Sequence, residues 1–248
     1  MKAWIPNFVT LLNLFCGCAA IICLLDYRFT DAFWFLFAAG WFDFADGLVA
    51  RALNVSSEHG KELDSLADMV SFGVAPAVIY YVLIYIATGG AVAGAEVVDG
   101  EAVAQLPITW SWQAAPALIL AMFSALRLAK FNLDTRQSEN FIGVATPTST
   151  VFATGLMLIY ALDSFGWGAY VLNPWLLYAA VAVMSYLLVS EHPMFSFKLK
   201  GLQWKGNGTR IIFAALGVAL LLLLGAAAFP FVVVVYIVLN LVSPPTVG

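Results

Sequence analysis

Stretches of roughly 20 apolar residues, each the length an α-helix needs to cross a bilayer, follow one another from one end of this chain to the other. Of its 248 residues, 62% are hydrophobic and only 10% charged, where an average soluble domain carries about 25% charged residues. A soluble domain of this size could not hide so much apolar surface. The expected fold is therefore all-α, a polytopic bundle of about eight transmembrane helices. The segments run approximately Ile5–Leu25, Ala32–Leu53, Leu63–Thr88, Trp110–Lys130, Thr146–Leu162, Pro174–Val189, Ile211–Gly225 and Ala226–Val242. Within the last segment, Phe229-Pro230-Phe231 reads as a tight turn or only a kink. Asn7, Thr10 and Asn13 interrupt the first segment and more spans follow at once, so it reads as a retained helix, not a cleaved signal.

Basic residues orient the bundle. With the N-terminus in the cytoplasm, Lys2, Arg51, Lys61, Arg127, Lys130, Arg136, Lys198, Lys200, Lys205 and Arg210 fall inside and only Arg28 falls outside. That asymmetry puts the N-terminus and the cation-bearing loops on the cytoplasmic side of the membrane. The stretch 191–210, with its three lysines, suits anionic headgroups, whereas 89–107 reads as a tolerated outer insertion. We divide the chain into a transmembrane core, 1–190, and a C-terminal part, 191–248, holding this basic loop and two helices. A net charge of −4 gives no reason to expect nucleic acid as a partner. Cys16, Cys18 and Cys23 lack the partners of a metal site and read as small packing residues.

Chemistry concentrates between Trp41 and Phe72. Asp43 and Asp46 are spaced i,i+3 and Asp64 and Asp68 i,i+4, so each pair shares one helix face. Both pairs lie near the cytoplasmic ends of adjacent spans, where facing lipid would cost each carboxylate a few kcal/mol even on mild scales. A short loop makes these spans antiparallel neighbours, so the two faces can meet. Converging carboxylates repel unless a cation neutralises them, and an all-oxygen set suits Mg²⁺ or Mn²⁺ better than zinc. Gly47 and Ala50 leave a narrow slot, Arg51 offers a fork of donors to phosphate, and Gly60 is conformationally free. Metal, slot and arginine together point to a nucleotide diphosphate.

The string Asp43-x2-Asp46-Gly47-x2-Ala50-Arg51-x8-Gly60-x3-Asp64-x3-Asp68 resembles the signature of the CDP-alcohol phosphotransferase family at all eight fixed positions. The resemblance implies two divalent ions that hold the diphosphate of a CDP-linked lipid while an alcohol attacks. It makes Asp43, Asp46 and Asp64 metal ligands and Asp68 either a ligand or the general base. Gly47 and Ala50 would border the cytidine, and Arg51 and Gly60 would help hold the nucleotide. A homodimer is also implied by the family.

Further runs resemble the bacterial and archaeal phosphatidylserine synthases of that family: Ile5-Pro6-Asn7-Phe8-Val9-Thr10, Ser71-Phe72-Gly73-Val74-Ala75-Pro76 and Arg127-Leu128-Ala129-Lys130-Phe131-Asn132. Their usual Gly-Leu-Pro-x-Pro stands here as Gly143-Val144-Ala145-Thr146-Pro147. The implied partners are CDP-diacylglycerol and L-serine, besides membrane lipids. Serine brings a carboxylate, so a fixed cation is needed near the metal centre. Arg127 and Lys130 lie at the right depth, although cations there also serve simply to anchor a helix end. Asn7 and Thr10 suit hydrogen bonds between helices and are also near enough to touch the CDP-lipid. Glycerol 3-phosphate and inositol phosphate are rival acceptors, but each would demand a denser basic pocket. A cation transporter is the rival of another class; its carboxylates would sit nearer the bilayer midplane.

Overall fold

The computed structural model describes residues 4–55, 57–90, 97–98, 101–102, 108–134, 141–195 and 208–244. Lys2, Arg136, Lys198, Lys200 and Lys205, used above to orient the bundle, lie outside these residues. Helix α1 (Trp4–Leu25) turns tightly at Tyr27, whose φ is 55°, into α2 (Phe29–Ala52). The Ser57 hydroxyl accepts from the Gly60 amide and so caps α3 (Glu58–Asp68). That helix passes through a π-helical segment, Met69–Val74, into α4 (Ala75–Ala87). A two-residue antiparallel pair, β1 (Val97–Val98) with β2 (Glu101–Ala102), lies in the predicted outer insertion. Then come α5 (Ile119–Leu133), β3 (Phe141–Ile142), α6 (Thr146–Ala161), a single turn α7 (Gly168–Val171) and α8 (Pro174–Val189). Strand β4 (Pro193–Met194) pairs with β3, and α9 (Gly208–Leu224) and α10 (Ala228–Val242) complete the fold.

Each of the eight apolar segments is largely helical, and among the described residues five stretches are long and apolar enough to cross a membrane. These are α1, α2, the rod from Glu58 to Ala87, Ala115–Leu133, and the run Gly208–Val242 taken whole. Helices α6 and α8, of 16 residues each, reach only about 24 Å at 1.5 Å per residue, short of a hydrocarbon core of about 30 Å. One boundary differs from the sequence expectation. The third helix begins at Glu58, not Leu63, because hydropathy marks the membrane whereas a capped helix continues past it into water. The break between the last two helices falls at Gly225, with φ +56°, where the two expected segments divide, and Phe229-Pro230-Phe231 forms no turn. Pro230 instead lies in the first turn of α10, where no amide hydrogen is needed, and seats against Gly155 of α6.

Two stripes on α2 explain its placement. Trp34, Phe37, Trp41 and Phe44 are each more than half exposed, at helical spacing. In water such an aromatic face would be an aggregation hazard; in a bilayer it meets lipid. Ala32, Leu36, Ala39 and Asp46 are buried on the opposite face, and Asp43 falls in register with them. Helix α1 presents Thr10, Asn13, Gly17 and Ala20 to the interior, and small residues let its backbone come close. Helix α4 fills the centre: Ile79, Tyr80, Leu83 and Ile84 are fully buried.

One close approach is between α1 and the π segment. A Cβ on Gly17 would lie 2.3 Å from the Ser71 hydroxyl and 3.0 Å from Ser71 Cα, and Ser71 itself donates to the Asn13 carbonyl at 3.1 Å. Gly17→Ala is therefore expected to destabilise the bundle by about 1–3 kcal/mol, the usual cost of overpacking. The check is thermal unfolding of the detergent-purified protein; an unchanged midpoint would contradict this contact.

Candidate active site

The antiparallel turn between α2 and α3 brings their acidic faces together. One oxygen each from Asp43, Asp64 and Asp68 lies within 4.8 Å of the other two. Asp64 Oδ1 is buried without a hydrogen-bond partner, and no Lys or Arg among the described residues forms a salt bridge with these three carboxylates. Converging anionic oxygens, one of them orphaned, fit a divalent cation and fit little else. Asp46 stands beside this group and is not part of it. It is buried, and its Oδ2 accepts from Thr10 Oγ1 at 2.7 Å.

A cleft of about 730 Å³ opens beside the cluster, floored by Asp46 and Asp64. All six residues assigned from sequence to the CDP-lipid line it: Asn7, Thr10, Gly47, Ala50, Arg51 and Gly60. Helix α1 supplies the first two, the end of α2 the next three, and the start of α3 the last. Arg51 folds back to donate from Nε to the Gly47 carbonyl at 2.9 Å, which leaves its terminal nitrogens for a ligand. Gly60 is small for a reason, since a Cβ there would stand 3.1 Å from Asn7 Oδ1.

Arg127 and Lys130 share a face of α5 but not a role. Arg127 is buried, donates from Nε to the Val144 carbonyl at 2.8 Å, and lies over the Phe131 ring. It is within electrostatic reach of Asp68. Lys130 is ion-paired with Glu191, so its charge is already engaged.

Asn13 is the residue whose significance the sequence left undecided. Its Nδ2 donates to Asp68 Oδ1 at 3.2 Å across the α1–α3 interface. Its own Oδ1 is buried without a partner. A polar residue three positions after Thr10, on the same face of α1, was the available signal. Its partner depended on how α1 and α3 pack.

The model of the CDP-alcohol phosphatidyltransferase family matches residues 3–186, which include every residue named in this site except Glu191. The chain belongs to that family. Among similar proteins is the CDP-diacylglycerol–serine O-phosphatidyltransferase of Bacillus subtilis, 34% identical over 195 residues, covering 79% of this chain and 92% of that one. The enzyme of the same name from Helicobacter pylori J99 is 35% identical over 156 residues, covering 62% of this chain and 57% of its own length. That from Mycobacterium leprae is 32% identical over 197 residues, again with 57% of its length covered. The chain thus spans little more than half of the latter two. As a CDP-alcohol phosphatidyltransferase the protein is a membrane-embedded enzyme of phospholipid biosynthesis, and the chemistry its acidic cluster serves is phosphatidyl transfer to an alcohol. That excludes the transporter reading.

Proposed function

We propose that the protein transfers the phosphatidyl group of CDP-diacylglycerol to the hydroxyl of L-serine, releasing CMP and forming phosphatidylserine. The observation that carries this reading is the position of Arg127, a buried guanidinium within electrostatic reach of Asp68. A carboxylate-bearing alcohol held there would present its hydroxyl to the acidic cluster. The names of the relatives add support for serine.

Asp43, Asp46 and Asp64, with Asp68 beside them, would hold two divalent ions, Mg²⁺ or Mn²⁺. When bound, such ions neutralise the diphosphate and stabilise charge on the attacking and leaving oxygens. Thr10 holds Asp46 by one oxygen, leaving the other for ligation. Arg51, Gly47, Ala50, Gly60 and Asn7 grip the CDP part in the cleft. Asp68, steadied by Asn13, takes the serine hydroxyl proton. The serine oxygen bonds to the phosphorus that carries diacylglycerol, the bond from that phosphorus to the CMP oxygen breaks, and CMP leaves. Lys130, its charge engaged by Glu191, would serve the acceptor site by fixing this end of α5 and not as a free cation.

The same proposal takes eight spans, with residues 1–190 as the catalytic core and 191–248 as an added basic loop and helical hairpin. It sets the cleft on the cytoplasmic side of a prokaryotic inner membrane and takes the protein as a homodimer. In support, Arg51, Lys61, Arg127 and Lys130 all belong to the cleft end of the bundle, with Lys61 donating to the Asn132 carbonyl across it, whereas Arg28 belongs to the opposite end.

The test is CMP release by the purified protein with CDP-diacylglycerol and Mn²⁺ or Mg²⁺, offering L-serine, glycerol 3-phosphate and inositol phosphate in turn. Release with serine and metal together, and with neither omitted, is the expected result. Release only with a phosphorylated alcohol would discard the serine assignment and leave the family chemistry intact.

A further inference from the structure

Helix α10 is apolar apart from Tyr236 and Asn240, which are spaced i,i+4 and so share one face. Both are almost fully buried, and a polar group at such depth must find a partner. Both find the same residue. The Tyr236 hydroxyl donates to the Phe195 carbonyl at 3.0 Å, and the Phe195 amide donates to Asn240 Oδ1 at 2.7 Å. Asn240 Nδ2 donates back to the Tyr236 carbonyl at 2.7 Å, which fixes the amide's orientation. Helix α9 closes the arrangement. Phe213 stands opposite Tyr236, and Gly217 opposite Val232, so α9 and α10 form an antiparallel hairpin. The rings of Phe195, Phe213 and Tyr236 then pack edge to face at 5.0–5.8 Å.

Phe195 directly follows β4, and β4 leads back to α5. Phe141 pairs with Met194 and Ile142 with Pro193, and the Gly143 amide donates to the His192 carbonyl at 2.8 Å. Gly143 has φ +74°, and a Cβ there would stand 2.8 Å from the Leu188 carbonyl, so the turn out of β3 has no room to relax. The next residue, Val144, offers the carbonyl that accepts from Arg127. Lys130 leans on the same unit through Glu191. Both cations of α5 are thus set by one small strand pair, and two polar residues of α10 hold that pair from behind.

We propose that Tyr236 and Asn240 are positioning residues of the acceptor site, and that the α9–α10 hairpin fixes the Arg127 guanidinium through the Phe195–β4–β3–Val144 link. The ligand so served is the carboxylate of an amino-acid acceptor. The hairpin lies wholly beyond the residues that the family model matches, so this control of the acceptor side is built from sequence added to the shared core. The inference rests on the reading of Arg127 given above.

Its test is steady-state kinetics of CMP release by the full-length protein, varying L-serine and CDP-diacylglycerol separately, for Asn240→Ala, Tyr236→Phe and Arg127→Ala. Tyr236→Phe keeps the ring packing and removes one hydrogen bond, so it remains informative where Asn240→Ala fails to fold. Both hairpin variants are expected to raise the KM for serine by about tenfold, as small misplacements of a binding group do, with the KM for the CDP-lipid unchanged. In the Arg127→Ala background they should add nothing further to the serine KM, because linked residues are not additive. A hairpin with a merely structural role would lower the active fraction, and so kcat, at parental KM values; that result overturns the inference. A serine KM that rises in Arg127→Ala but not in the hairpin variants refutes the link and spares the Arg127 reading. A rise in the hairpin variants alone refutes the route through Arg127, and no rise in any variant refutes both.

Discussion

Asp68→Asn is expected to reduce turnover by about 10²–10⁴-fold, the range that a positioned general base contributes, at saturating metal and with the CDP-lipid still bound. Asparagine keeps the shape of the side chain and still accepts from Asn13 Nδ2 through its carbonyl oxygen. It cannot take a proton from the attacking hydroxyl. The companion variants are Asp43→Asn and Asp64→Asn, whose oxygens complete the cluster. These should weaken metal binding itself, so that activity returns in part as Mn²⁺ is raised. Titrating Mn²⁺ against CMP release for the three variants separates the roles. If Asp68→Asn is also rescued by added metal, Asp68 is a ligand and the proton goes elsewhere.

Arg127→Ala is expected to raise the serine KM by about 10- to 100-fold, because a charge-assisted hydrogen bond is worth roughly 1.5–3 kcal/mol and each 1.4 kcal/mol is a factor of about ten. The KM for the CDP-lipid should hold, since Arg51 lines the cleft and Arg127 does not. Arg127 also bonds the Val144 carbonyl and packs on Phe131, so alanine removes packing as well as charge. Arg127→Lys separates the two, keeping the charge and most of the stem while losing the planar fork. Its serine KM should fall between those of the parent and the alanine variant. An equal rise for both substrates in Arg127→Ala would mean that this guanidinium supports the whole site and does not select the acceptor.

Much of the acidic site was readable because its information is local. The spacing of Asp43, Asp46, Asp64 and Asp68 sets two helix faces, and a short loop obliges those faces to meet. Likewise, a lipid-facing stripe of aromatics on α2 needs only helical periodicity. What stayed hidden depends on pairs far apart in the chain. Asn13 reaches Asp68 across 55 residues and Asn240 reaches Phe195 across 45, and neither partner is written in its neighbourhood. The break at Gly225 was legible in the segment bounds, whereas the part played by the proline after it was not. Phe229-Pro230-Phe231 carries the stronger turn signal, yet proline is accommodated in the first turn of a helix. The polar first turns of α3 escaped because hydropathy sees only the part of a helix that is in lipid.

The π segment has a consequence for how this protein can change. One rod, from Glu58 to Ala87, carries two unrelated obligations: its first half aims carboxylates at α2, and its second half fills the centre of the bundle. In an unbroken α-helix those two halves would be locked at about 100° per residue, and any shift of the packing would swing the acids away from their partners. The wide turn at Met69–Val74 works as a phase adjuster between them, its carbonyl at Phe72 accepting from Thr150 of α6. The interior half can therefore drift in sequence and volume without disturbing the aim of the acidic half. A residue lost from the α-helical turns on either side, with no wide turn to absorb it, would swing Asp64 and Asp68 by about 100° relative to α4.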